Sequence, residues 1–306
     1  MRSAASDRLA ASADAARGLE LTARAVVEGL RAGRHVALRP GEADEFYDYQ
    51  RCAPGDPVSR VDWRATARRD EPVIRRRRHL APLTLVVALD ASASMGFRGI
   101  DPGARAPSKL DEARAIAAAL IAVALRQGDA AQILAAHGDG VLGTGIFRGR
   151  GALGRACAAI ASLTPAGSFG LVAALERVAR DASASDVVIA VGDGLEPVEM
   201  LAAALGRARK RTAPARDIAL VQTLAEDEFA PPPIRAALVD PETRATSATP
   251  NADAAAGAAA QVARHVERVR RVTQRLGGRH ELHRVGAPIV DSLRRLLTDP
   301  ARSRGG

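Results

Sequence analysis

The sequence predicts an α/β protein: a doubly wound, mostly parallel sheet with helices on both faces, plus a small N-terminal subdomain. Three observations carry this. Strand-length apolar runs rich in β-branched residues alternate with amphipathic, helix-length stretches from residue 83 onward. Two of those runs, LTLVVALD and DVVIAVGD, end on an aspartate, Asp90 and Asp193. Before them, residues 35–82 mix Pro, Gly and acidic residues with Phe46, Tyr47, Tyr49 and Trp63, four of the eight aromatics in a chain that is 3% aromatic.

With 306 residues, 47% of them hydrophobic, the chain can bury one large core and carry an appendage. The expected division is 1–82 for an N-terminal helix and the Trp/Arg/Asp-rich subdomain, 83–299 for the main domain, and 300–306 for a frayed tail. No stretch approaches the ~20 apolar residues of a membrane helix, and the N-terminus lacks a signal-like apolar run, so a cytoplasmic protein is expected. Cys52 and Cys157 are the only cysteines, which excludes a disulfide scaffold or a Cys-rich zinc site. The net charge of +9 draws attention to nucleic acid, yet 42 of the 44 basic residues are Arg, scattered through the chain, and stacking aromatics are few. Peripheral attraction to acidic proteins or lipids fits this charge better than specific nucleic-acid binding.

In order, Leu19, Ala23, Val26, Val27 and Leu30 form a helical stripe over 14–33, with Gly33 placed to end it. Pro54-Gly55-Asp56-Pro57 is a turn, and Val58, Val61 and Trp63, then Val73 and Ile74, read as short strand-like pieces. Asp56, Arg60, Asp62 and Arg64 suit a buried ion-pair lattice tying the subdomain to the sheet, with Trp63 as its anchor. The Arg75–Arg78 run reads as a solvated edge. After the strand ending at Asp90, residues 107–127 carry a helical stripe with Ser108 as N-cap. Strand 131–136 and strand 141–147, joined by a Gly-Asp-Gly turn, should be antiparallel. Helices are expected at 151–162 and 170–181, then the strand 187–191. A helix opened by Pro197 follows, then strand 217–223, a Pro-rich break at 231–233 and a short strand near 235–239. A long helix over 253–276, strand 281–285 and a helix from Pro288 to Leu297 complete the chain.

In such a sheet, ligands bind outside the carboxyl ends of the strands where strand order reverses. That rule brings Asp90, Ser92 and Ser94 together with Asp193. Two carboxylates and two hydroxyls suit a hard divalent cation that keeps waters, Mg²⁺ rather than Zn²⁺; capping of the following turn by the same residues is the alternative. The GxGxxG at Gly149, Gly151 and Gly154 follows an antiparallel edge and does not suggest a dinucleotide site. His280 and His283 should point to opposite faces of one strand, which defeats a shared metal. Ser92 and Ser94 lie in no GxSxG elbow and have no His close in sequence, so a hydrolase triad would need the distant His137 or His265.

DASASM after an apolar strand, with Asp193 after a later one, resembles a von Willebrand factor A domain with its metal-ion-dependent adhesion site. ELTARAVVEGLRAGRH at 20–35, Glu45-Phe46, GDPVSRVDWRATAR at 55–68 and LVDPE at 238–242 resemble the bacterial family called domain of unknown function 58. This resemblance spans roughly residues 19 to 297. It implies a non-enzymatic adaptor that binds protein clients beside a MoxR-type AAA+ ATPase. By analogy, Ser92 and Ser94 would hold Mg²⁺ or Mn²⁺ directly, Asp90 and Asp193 largely through waters, and a partner's Asp or Glu would complete the shell. Where family members read like GGTDL, this chain has Gly167-Ser168-Phe169-Gly170-Leu171. Phe169 thus stands at the expected Thr, leaving Ser168 or Thr164 as the substitute ligand. Gln50 and Cys52 replace an expected Arg and Tyr, and Arg75–Arg78 replace acidic residues. A metal-dependent hydrolase using the same carboxylates is the alternative function.

Overall fold

Two strands without a polar face set the architecture. β3 (Thr84–Asp90) and β6 (Asp186–Gly192) are buried along their whole length and pair in parallel, from Thr84 opposite Asp186 to Leu89 opposite Val191. A strand with both faces buried needs a near-continuous apolar run, which TLVVALD and DVVIAVG supply. The structure is a computed structural model that describes residues 4–31, 46–53, 61–68, 71–77, 83–100, 106–149, 151–183, 186–211, 218–231, 238–242, 245–247 and 252–297. The expected tail at 300–306, and Val58, Asp56 and Arg60, lie outside them.

The chain divides into two units, Met1–Val36 with Pro82–Gly306, and Ala37–Ala81. The break expected after residue 82 falls after Ala81, but α1 (Ala4–Arg31), expected with the small subdomain, belongs to the larger unit. Its buried Ala23, Val26 and Val27 follow the predicted stripe. It packs on α3 (Lys109–Arg126) and α4 (Ala152–Ala161), where Glu28 pairs with Arg126 at 2.9 Å.

The larger unit holds a six-stranded sheet in the order β10-β7-β6-β3-β4-β5. β4 is Ala130–His137, β5 Gly140–Gly143, β7 Ile218–Leu224 and β10 Arg279–Arg284. All neighbours are parallel except β4 and β5. From β3 the chain moves outward to β4 and β5, then returns to the other side of β3 with β6, so strand order reverses between β3 and β6. The predicted third strand is shorter than expected: β5 ends at Gly143, and Phe147 regains the sheet through a single bridge to Ala131. On one face lie α5 (Leu171–Asp181), α6 (Val198–Arg211) and α8 (Ala252–Arg275), whose Leu175, Leu205 and Val269 pack with Val86, Leu134 and Leu220. On the other lie α1, α3, α4 and α9 (Ile289–Leu297).

α3 is buried on nearly every side, which its Ala-rich sequence permits because small side chains let helix and strand backbones approach. Its N-terminus is fixed by a capping box between Ser108 and Asp111, an arrangement that stabilises by about 1 kcal/mol. α7 (Glu226–Phe229), a single turn after β7, was not expected from the sequence. The strand expected near 235–239 is the two-residue β8 (Leu238–Val239), paired with β9 (Thr246–Ser247).

In the smaller unit, β1 (Phe46–Arg51) pairs antiparallel with β2 (Val73–Arg77), and α2 (Trp63–Thr66) lies between them in sequence. β1 was not expected from the sequence, Trp63 begins a helix where a strand-like piece was expected, and β2 begins at the expected Val73 and Ile74. Asp62 caps α2, accepting from the backbone N–H groups of Arg64 and Ala65 at 3.1 Å. Trp63, the first residue of α2, is 63% exposed, and the buried position of that helix is Ala65. The side chains of the Arg75–Arg78 run lie outside the described residues.

Candidate functional site

The carboxyl ends of β3 and β6 deliver Asp90 and Asp193 to one place, as the topology requires. Both are buried, 1% and 4% exposed. After β3 the chain turns tightly: Ser92 N donates to Asp90 Oδ1 at 2.9 Å, and Ala93–Gly96 forms one tight helical turn. The Ser92 and Ser94 hydroxyls lie 3.1 Å apart, and Ser94 Oγ donates to Asp193 Oδ2 at 3.0 Å. The four oxygen-bearing residues predicted to converge across a hundred positions therefore do so.

The site already contains a cationic side chain that lies outside the expected set. Lys109 Nζ donates to Asp193 Oδ2 at 2.8 Å and to Glu228 Oε1 on α7 at 2.9 Å. Burial opposes its charge, but Asp193 and Glu228 outweigh that and hold the ammonium above the ordinary lysine range. The clue was composition: Lys109 is one of two lysines in a chain whose other 42 basic residues are Arg. Gln222 supports the same loop, its Nε2 donating to the Asp193 carbonyl at 2.8 Å while its Oε1 accepts from His280 Nε2 at 3.0 Å.

Asp90 has no such partner. Its Oδ2 is buried and makes no hydrogen bond, and burial, then repulsion from Asp193 and Glu196, pushes its carboxyl well above the usual carboxylate range. Glu196 is the acidic residue missing from the expected set. Its Oε1 accepts from Val172 N at 2.9 Å, its Oε2 is buried without a hydrogen bond, and burial chiefly raises its pKa.

The loop before α5 closes the site through its backbone. Ala166 N donates to Ala91 O, Ala93 N to Gly167 O, and Gly138 N to Ala166 O, at 2.9–3.0 Å. In this loop position 170 comes against the carboxylates: a Cβ there would sit 2.5 Å from Glu196 Oε1 and 3.6 Å from Asp90 Oδ2. Ser168 is exposed, Phe169 is 44% exposed on the rim, and Thr164 Oγ1 lies 3.2 Å from His137 Nε2. On the same rim Leu195 is 38% exposed, and Leu195, Arg264, His265 and Arg268 line a cavity of about 480 Å³.

A divalent cation fits this donor set on one count: a buried carboxylate oxygen without a partner stands beside two hydroxyls and a second such carboxylate. Among the described residues, no three His, Cys, Asp or Glu side chains form a metal-holding group by themselves. Hydroxyls would therefore have to supply donors.

Glu112, His283 and Ser292 form a second hydrogen-bonded line, with His283 Nδ1 2.9 Å from Ser292 Oγ and Nε2 3.1 Å from Glu112 Oε2. All three residues are buried, so this triad-like row ties α3, β10 and α9 together and offers no route to substrate. His280, bonded to Gln222, lies apart from it, as the spacing of the two histidines predicted.

The family described as "Protein of unknown function DUF58" matches residues 48–271. An uncharacterized protein of Mycobacterium bovis and one of Mycobacterium tuberculosis are each 30% identical over 192 residues, covering 62% of this chain and 59% of their own length. Among solved structures, an aerotolerance-related membrane protein from Bacteroides fragilis aligns with a TM-score of 0.44 and 15% identity, over 70% of this chain and 96% of that one. The pilus adhesin SpaC of Lactobacillus rhamnosus GG aligns with a TM-score of 0.42 and 10% identity, over 74% of this chain and 31% of that one. No helix among the described residues is long and apolar enough to cross a membrane.

Proposed function

The chain belongs to the DUF58 family of unknown function, and from that premise we propose that it is a non-enzymatic, Mg²⁺-dependent adaptor that binds protein clients and works with a MoxR-type AAA+ ATPase. In this reading the larger unit is a von Willebrand factor A-like domain. The reversal of strand order at β3, the antiparallel edge strand and the Asp90-Ser92-Ser94 loop support that finer assignment.

One observation carries the functional reading. Asp90 Oδ2 is buried without a hydrogen bond beside a cluster of oxygen donors, a costly arrangement that a cation would relieve. Around it the rim exposes Phe169 and Leu195, an apolar border suited to protein contact. The ion would be held by Asp90, Ser92 and Ser94, and it would supply an open position for a client's carboxylate. Asp193 would stay bonded to Ser94 and Lys109 and orient the hydroxyl.

The test is capture of a MoxR-type ATPase or its client by the immobilised protein, with Mg²⁺ or with EDTA, and by Asp90→Ala. Capture should fall with EDTA and with the variant; equal capture in all three arms would overturn the metal-dependent reading. A metal-dependent hydrolase would need a base; Lys109 is held protonated, while Glu196, whose pKa burial raises, is a carboxylate beside Asp90 that could serve. Turnover abolished by Glu196→Ala would favour that alternative.

A further inference from the structure

Glu196 precedes Pro197 at the head of α6, yet its carboxylate reaches across to α5, whose own cap residue, Gly170, has no side chain. One oxygen thus replaces the missing cap by accepting the Val172 N–H. A single oxygen would serve that purpose. The other, Oε2, is buried and unbonded, and so is Asp90 Oδ2. A Cβ at Gly170 would meet Glu196 Oε1 at 2.5 Å and Asp90 Oδ2 at 3.6 Å, so the two carboxylate groups come close to one another on that side of Gly170.

The charges around the site divide unevenly. Asp193 faces a built-in cation, Lys109, and a hydroxyl, Ser94. Glu196 lies close enough to Asp90 to disfavour its ionised form, and neither carries a hydrogen bond from a cationic side chain. Two like charges left together in a buried place are what a divalent ion neutralises. The loop that would supply a Thr ligand in the resembled adhesion site here leaves Ser168 and Phe169 exposed, with Gly170, which has no side-chain donor, against the carboxylates.

Resting on the metal-dependent reading above, we propose that Glu196 is a direct metal ligand, taking with Asp90 the place that Ser168 would have filled. The site is then more acidic than a hydroxyl-dominated adhesion site. Its bound ion carries less residual positive charge, so the ion is held more by this chain and less by a client's carboxylate.

Mn²⁺ binding followed by electron paramagnetic resonance and by calorimetry, with no client present, tests this on wild type, Glu196→Gln and Ser168→Ala. Gln keeps the oxygen that caps α5 and removes the charge. Glu196→Gln should weaken Mn²⁺ at least about tenfold, while Ser168→Ala changes it less than about twofold. The metal-free Glu196→Gln protein should melt at or above the wild-type temperature, because a repulsion has been removed, but should lose the upward shift on adding Mn²⁺. Wild-type affinity in Glu196→Gln with loss in Ser168→Ala overturns the assignment of Glu196 and leaves the metal reading standing. Wild-type protein that binds no Mn²⁺ at millimolar concentration overturns both. Should Gln disturb the loop, visible as a lowered metal-free melting temperature, Glu196→Asp decides: a shortened carboxylate that restores no Mn²⁺ affinity over Gln counts against direct ligation.

Discussion

Lys109 Nζ stands 2.8 Å from Asp193 Oδ2, with only 2% and 5% of the two side chains exposed. The pair joins the first residue of α3 to the end of β6, and Glu228 extends it to α7 at 2.9 Å. A lysine alone at this depth would lose its proton; with two carboxylates it keeps it.

Lys109→Met leaves Asp193 and Glu228 buried without their cation. The expected cost is about 3–5 kcal/mol, the usual result of breaking one side of a buried ion pair, read from urea unfolding at neutral pH. A loss below about 1 kcal/mol would mean that Asp193 and Glu228 find other partners.

Stability should fall in mild acid through His280. Burial, with a smaller contribution from Arg270, lowers its pKa from 6.5 to about 4, while Glu267 acts weakly the other way. The unfolded chain therefore takes up a proton near pH 6.5 that the folded chain refuses until about pH 4. The contribution is complete above the higher value and is lost as pH falls toward the lower one, to a total on the order of 3 kcal/mol. His280→Gln should show a smaller drop in unfolding free energy between neutral pH and pH 4.5 than wild type. Equal drops would remove His280 as the cause.

Gly167→Ala should unseat the loop before α5. Gly167 has φ +77°, and a Cβ there would fall 1.8 Å from the Gly138 carbonyl oxygen, so neither backbone nor neighbour can accept it. The expected loss is at least about 2 kcal/mol. The hydrogen bonds from Ala93 N to Gly167 O and from Ala166 N to Ala91 O should then exchange their amide protons faster. Unchanged exchange at Ala93 would contradict this account of how the loop is held.

The placement of Asp90 and Asp193 was legible in the sequence because it depends on local facts: an apolar run of strand length and the residue that ends it. The hydroxyls at Ser92 and Ser94 follow from the same short stretch. Glu196 was not legible, since its neighbour Pro197 reads only as the start of a helix. Its role depends on α5 lying alongside, with Gly170 offering no cap.

The sequence by itself determined the alternation of strands and helices, the ends of most elements to within a few residues, and the meeting of Asp90, Ser92, Ser94 and Asp193. Only the tertiary structure decided which charges are neutralised and which are left facing one another. Lys109, Asp193 and Glu228 come from three separate elements, and burial, which turns a weak surface attraction into a strong pairing, is a property of the packed sheet and helices. The same holds for Trp63, whose size predicts burial but which stands exposed at the start of a short helix.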